Sequence, residues 1–379
     1  MSAYDDWFTH TATIPAAARA QVNADLHEYM ATVRECARTH LGDAATVCVS
    51  GSLARGEPAI RRRGDEFGLS SDVDLVAVVD DPDRDALWVE KFLSALREQR
   101  PDVESTVFTV ARENLSRVAG RFGADLAHAA FAPLAGRAAA GVALPRIGRR
   151  EGLEGLVHEL ARIYCPDSAP AATPWHTKTA LEALRALSTR DRPGPQRYST
   201  LPDDPALAGL VDRDRTTALV TAREHTTPLP ITATEVYQLV LAAACRVFGV
   251  ATGEHELIEA LHHPPAAMHV LDGFQRAVLA ATILIYGPPA LRRPAAAGLH
   301  LTAAAIDRDT LLTAHPSHQA LTRLSPMDFA HGIEHPNTVV RLHLQGIRRD
   351  YYHWLGAHNF GAPVENYRGP APRGEGDHG

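Results

Sequence analysis

The sequence predicts an α+β fold, in which a small mixed β-sheet domain with flanking helices is followed by an α-helical domain. Three observations predict it. The 379 residues exceed one compact core, and domains of ~100–200 residues are the usual unit. Three short β-branched runs alternate with helical patterns in the first third of the chain. From about Glu151 onward the apolar spacing is almost entirely helical. The expected divisions are residues 1–148, 149–360, and a Pro/Gly-rich tail, 361–379, expected to be disordered.

Taken in order, Pro15 suits a first helical turn, and Ala/Leu/Met spacing carries a helix over 15–41 to a stop at Gly42. Thr46–Ser50 reads as a short buried strand running into Gly51-Ser52, within a core unit spanning 45–110. Residues 53–71, rich in Arg, Gly and Glu, read as a long loop. Val73–Val79 is a strand closed by Asp80-Asp81-Pro82, and Arg84–Arg100 is an amphipathic helix. Val103–Val110 is a third strand, with Glu104, Thr106 and Phe108 alternating against Val103, Ser105 and Val107. Further helices are expected from Ala111 to near Pro145. Helices then follow over 153–164, 176–189, 232–248, 274–286, 302–313 and 339–355, with a polar loop from Arg190 to about Pro230. No internal repeat is visible.

The 38 basic residues include only two lysines, Lys91 and Lys178, and the formal net charge is −7. Proteins that grip long nucleic acids usually carry excess Lys/Arg to neutralise phosphates. The charge balance therefore favours a small acceptor over nucleic acid. Cys36, Cys48, Cys165 and Cys245 lie far apart and form no CxxC pair, which argues against a zinc knuckle or a disulfide framework and points to a reducing cytoplasm. The N-terminus MSAYDDWFTH has neither a basic nor an apolar signal region. The longest apolar stretch, Val278–Ile285, is far short of the ~20 residues of a membrane span.

The chemistry concentrates in VCVSGSLARGEPAIRRRGDEFGLSSDVDLVAVV. A strand running into Gly51-Ser52 and a helix start sets free backbone N–H groups beside a hydroxyl, which is an anion cradle. Asp72 and Asp74 flank Val73 at a strand start, so alternation puts both carboxylates on one face and Val73 in the core. Two like charges on one face call for a cation, and Mg²⁺ takes a few carboxylates together with phosphate oxygens. A third carboxylate is expected on a neighbouring strand. Glu104 is the candidate and Asp102 the alternative.

A Gly-Ser turn followed by Ser-Asp-x-Asp leading into a hydrophobic strand resembles the signature of the DNA polymerase beta-type nucleotidyltransferase superfamily, including its small-molecule and antibiotic nucleotidyltransferases. Gly51, Ser52, Asp72 and Asp74 carry the resemblance, and Arg55-Gly56 and Ser71 fit looser preferences. It covers roughly residues 45–110, and FAPLAGRAAAGVALP at 131–145 is weakly similar to that domain's end. The 53–71 segment is longer than is usual there. The resemblance implies a nucleotidyltransferase domain in which Gly51 and Ser52 hold the β/γ-phosphates of an NTP. It implies two Mg²⁺ ions on Asp72, Asp74 and Glu104, and transfer of an NMP to an acceptor hydroxyl with loss of pyrophosphate. Arg55 and Ser71 would assist at the nucleotide, and related enzymes often set a helical lysine over the triphosphate, a role that Lys178 could fill.

Plainer readings stand beside these. A lone DxD caps many turns. Arg55, Lys178 and Arg61–Arg63 could all be solvated surface charge. His331 and His335 have the i, i+4 spacing of a zinc pair, but Gly332 and Pro336 weaken the helix it needs and no third ligand is evident. His262-His263-Pro264-Pro265 reads as a loop. Tyr351-Tyr352-His353-Trp354 reads as helix packing rather than a base-stacking platform. The expected activity is transfer to a hydroxyl of a small metabolite. The alternatives are synthesis of a di- or oligonucleotide signal, nucleotide addition to RNA, or a non-catalytic nucleotide sensor.

Overall fold

The computed structural model describes residues 6–43, 45–117, 121, 123–126, 133–137, 146–147, 149–164, 172–188, 192–193, 196–227, 229–263, 273–291 and 294–295. The chain is a mixed helix-and-strand molecule, α+β in its coarse architecture. The long helix α1, Ala16–His40, buries Ala18, Val22, Leu26, Tyr29, Met30, Val33, Cys36 and Ala37, a stripe at helical spacing. Strand β1, Thr46–Val49, is buried throughout, and the one-turn helix α2, Gly51–Ala54, follows directly. Strands β2, Ile60–Arg63, and β3, Glu66–Leu69, precede β4, Val73–Val79. Helix α3, Pro82–Gln99, leads to β5, Ser105–Ala111.

The central strand is β4. It pairs antiparallel with β1, setting Thr46 opposite Val78 and Val49 opposite Leu75. It pairs parallel with β5, setting Val73 opposite Ser105 and Asp74 opposite Thr106. A parallel pair needs a crossover connection, and α3 provides it while packing on α1. Asp81 is more than a strand terminator: its carboxylate accepts the Arg84 N–H at 3.1 Å, and Pro82 fills the first turn.

Residues 53–71 are not one long loop. After α2 they form the β2–β3 hairpin, with Ile60 opposite Leu69 and Arg63 opposite Glu66. Gly64 turns it at φ +65. Gly64-Asp65 is a two-residue hairpin turn between strand-length runs, and the dense arginines masked that signal. After Ala111 the chain makes a 3₁₀ stretch, Arg112–Arg117, rather than an immediate α-helix.

In the second half a short antiparallel pair joins β6, Arg146–Ile147, to β7, Arg192–Pro193. The helices are α4, Arg149–Tyr164; α5, Ala172–Ser188; α6, Arg213–Glu224; α7, Ala233–Phe248; α8, Glu254–His262; and α9, Gly273–Tyr286. The segment read as a polar loop thus contains a 3₁₀ turn, Tyr198–Asp203, and helix α6. Its polarity hid α6, which buries only Thr216, Leu219, Val220, Ala222 and Glu224. Helix α7 starts in a reciprocal Thr232/Glu235 capping box and stops at Gly249 in the left-handed region. The expected helices over 302–313 and 339–355, the His331/His335 pair, the aromatic run at 351–354 and the tail lie outside the described residues.

Two large hydrophobic clusters form. One joins α1, β1, β4 and α3 within Trp7–Leu134, and the other joins the helices within Leu153–Ala295. Among the described residues, polar contacts cross between these halves. Glu224 accepts the N–H groups of Ala12 and Thr13, each at 2.8 Å. Glu57 accepts the Ser199 N–H at 3.0 Å, and Arg197 Nε donates to the Arg55 carbonyl at 3.1 Å. The Arg223 guanidinium donates to the Glu57 carbonyl. Among the described residues no helix is long and apolar enough to cross a membrane.

Candidate active site

The site assembles where β1 ends and β4 begins. Ser50 N–H donates to the Asp74 carbonyl at 2.8 Å, which brings the Gly-Ser turn against the acidic strand. Gly51 has φ +63, and a methyl group on its Cα would collide with Asp74 Oδ2. Only glycine satisfies both the backbone angle and the closeness of the carboxylate. The hydroxyls of Ser50 and Ser52 are buried and, among the described residues, have no hydrogen-bond partner. An unsatisfied buried hydroxyl is unfavourable unless a ligand meets it.

Val73 is fully buried while Asp72 and Asp74 are half-buried, so strand alternation delivers the two carboxylates to one face. Burial, and after it the charge of Asp72, pushes the Asp74 carboxyl up to about 7 against the pull of Lys178 and Arg55. The nearby cations therefore leave the pair undercompensated. Lys178, on α5, sits 2.8 Å from the buried Glu159 of α4 and acts on Asp74 more strongly than Arg55 does. The other lysine, Lys91, stacks on the exposed Trp88 ring at 4.4 Å.

Glu104 precedes β5, and its carbonyl accepts the Val73 N–H at 2.8 Å. The parallel register makes it the neighbour of Asp72 on the same face, with its side chain exposed. The alternative, Asp102, pairs with Arg100 at 2.8 Å, which holds its carboxyl below the usual range. Oxygen donors from Asp72 and Asp74 beside partnerless hydroxyls fit a hard divalent cation and phosphate oxygens. The third ligand is not drawn in: among the described residues, no three His, Cys, Asp or Glu side chains cluster to hold a metal ion.

Two other expected contacts are committed to structure. Ser71 Oγ accepts the Ala59 N–H at 2.7 Å, closing the base of the hairpin immediately before Asp72. Arg55 is buried, with its guanidinium on Asp125 and, at 3.3 Å, on Glu57. Burial opposes its charge, but Asp125 and Glu57 outweigh burial and keep the guanidinium firmly protonated.

Behind the site lies a polar cluster that the sequence did not reveal. Glu182 on α5 accepts from Arg121, from the Tyr198 hydroxyl and, at 2.8 Å, from Arg185. Burial would raise the Glu182 pKa, yet Arg185 and Arg121 drive it well below the carboxylate range. Arg121, buried beside a second arginine, falls to about 10. Arg185 also donates to the Gln196 carbonyl at 2.7 Å and lies over the Tyr198 ring at 4.6 Å. These residues are scattered over 78 positions of sequence, Arg121 to Tyr198, with no shared motif that could have announced them.

In the helical half, cavities open away from the carboxylates. One cavity there, about 400 Å³, is bordered by Asp214, Thr217, Thr221 and Leu229. Another, between Leu160, His176, Tyr237 and Tyr286, is about 10 Å³, scarcely room for one water. Neither includes a residue of the acidic site. Comparison with protein-family models, with curated proteins and with solved structures returned no match to this chain.

Proposed function

We propose that the chain is a nucleotidyltransferase that moves an NMP from an NTP to a hydroxyl of a small acceptor and releases pyrophosphate. The observation that carries this reading is Asp74, on one strand face with Asp72, packed against Gly51 beside the buried Ser52 hydroxyl, which has no partner among the described residues. Such a site attracts cationic charge on one side and an anion on the other. A magnesium nucleotide brings both.

Asp72 and Asp74 would hold the divalent ions, whose chemistry is to neutralise the triphosphate and polarise the acceptor oxygen. Ser52 and the N–H groups beyond Gly51 would receive the β- and γ-phosphates. Lys178 would swing from Glu159 toward the same phosphates. The acceptor oxygen then bonds to the α-phosphorus, and the bond from that phosphorus to the bridging oxygen breaks. Pyrophosphate leaves with the electron pair, and the acceptor proton passes to Glu104 or to water. Arg55, locked on Asp125 and Glu57, acts by positioning the turn rather than by touching nucleotide.

A thermal-shift series with each of the four NTPs and Mg²⁺ tests binding, because a ligand specific for the folded state raises the midpoint with concentration. The midpoint is expected to rise for at least one NTP in the native chain and to stay flat in Asp72→Asn and Asp74→Asn. Equal shifts in all three proteins would remove the acidic pair from the site. Pyrophosphate release from NTP and Mg²⁺ alone, with a dinucleotide product, would move the reading to a signal synthase. Binding without release under any acceptor would move it to a sensor.

A further inference from the structure

The one-turn helix α2 is too short to hold its own shape. A single turn makes few hydrogen bonds for the backbone freedom it fixes. The backbone of Gly51 and Ser52 therefore depends on what grips the helix from outside. Two inner bonds pass any such grip back to the turn. The Arg55 N–H donates to the Gly51 carbonyl at 3.2 Å, and the Glu57 N–H donates to the Ser52 carbonyl at 2.9 Å.

The grip falls on three successive carbonyls. That of Arg55 accepts Arg197 Nε at 3.1 Å, that of Gly56 accepts the His10 N–H at 2.9 Å, and that of Glu57 accepts the Arg223 guanidinium. Carbonyls at the end of a helix ordinarily go to water or to a local turn. Here the donors come from three distant places: the segment before α1, the residue ahead of the 3₁₀ turn at Tyr198, and the last turn of α6. Two of them are guanidinia of the helical half, and charged donors make the stronger bonds. The Glu57 side chain, 2% exposed, adds a fourth tie by accepting the Ser199 N–H at 3.0 Å. Arg223 is itself held in place: its guanidinium lies over the buried Tyr198 ring at 5.0 Å, and the Tyr198 hydroxyl donates to Glu182. Packing of the two halves needs no such focus on residues 55–57, directly behind Gly51-Ser52.

Resting on the nucleotidyl-transfer reading for what the turn binds, we propose that Arg197 and Arg223 are positioning residues for the phosphate cradle. By holding residues 55–57 they set the Gly51-Ser52 backbone in its anion-receiving shape. Neither arginine touches the nucleotide. Docking of the helical half and phosphate binding at the turn are then one linked equilibrium, each favouring the other.

The test uses the full chain and three variants, Arg223→Ala, Arg223→Lys and Asp81→Ala. Amide hydrogen exchange read by mass spectrometry should quicken several-fold at Arg55, Gly56 and Glu57 in Arg223→Ala and stay native along β4. Lysine restores a charged donor and should recover most of the protection. Titration with each of the four NTPs and Mg²⁺ should show affinity lowered roughly tenfold in Arg223→Ala and near native in Arg223→Lys. Asp81→Ala, which loosens the start of α3, should bind as the native chain does. If Arg223→Ala folds poorly, Arg197→Ala, at a half-buried side chain, reads the same two quantities. Native exchange rates at residues 55–57 in both alanine variants would overturn the proposal. So would an equal loss of affinity in Asp81→Ala, which would make the effect one of stability alone. If the native chain binds no NTP, the transferase reading falls, and the exchange rates judge the positioning role by themselves.

Discussion

Asp74 shows how one residue can work against the fold that holds it. Its carboxyl titrates near 7 in the folded chain against an ordinary 3.8. Between those values the folded state keeps a proton that the unfolded state has lost, so stability falls as pH rises through that window. Asp74→Asn removes the effect. In urea denaturation without divalent cations, the variant should exceed the native chain by on the order of 1–2 kcal/mol at pH 8, after allowance for partial exposure. The gap should narrow at pH 5. A variant no more stable than the native chain at pH 8 would show that the pair is already compensated. Added Mg²⁺ should reverse the order, and its affinity should climb as pH passes 7, because proton and cation compete for the same oxygens. Much of this was legible in the sequence, since Asp-x-Asp at a strand start fixes both face and charge. What was not legible is that Arg55 is already spent on Asp125, a residue 70 positions away.

At the scale of elements, chemistry close along the chain was readable and sparse patterns were not. Strand β4 coincides with its β-branched run, Val73–Val79, and α7, Ala233–Phe248, with the helix expected over 232–248. The hairpin was missed because charged residues outnumber apolar ones in its strands. Helix α6 was missed because its inward stripe is short. The start of α3 shows how a side chain can be read too narrowly: Asp81 looked like a turn residue and proved to be a cap. Asp81→Ala should lower the stability of the chain by about 1 kcal/mol, the usual effect of losing an N-cap, measured as a shift in the urea midpoint. An unchanged midpoint would mean that Pro82 alone sets the helix start.

Across the whole molecule, two hydrophobic clusters meet through charge. Glu182 is the counter-ion for both Arg121 and Arg185 and accepts the Tyr198 hydroxyl. Glu182→Gln removes the counter-ion that Arg121 and Arg185 share and should lower stability by about 3–5 kcal/mol. Conversion of the same position to Leu should do no better, since the arginines stay. Denaturation of both variants checks this, and a loss below ~1 kcal/mol would mean that water reaches the cluster. Periodicity reports which residues turn inward but not which buried charges meet, so this junction was not legible in the sequence.

That junction bears on dissection of the chain. Cutting between the halves would expose Glu57, Arg223, Glu224 and the backbone groups they satisfy, rather than a sheet of oil. Separated fragments would be held in solution by their newly hydrated ions. They would rejoin through hydrogen bonds between charged side chains and backbone groups and through the Arg121–Glu182 pair, which added electrolyte weakens. Recovery of one half from the other would thus be governed by ionic strength more than by temperature.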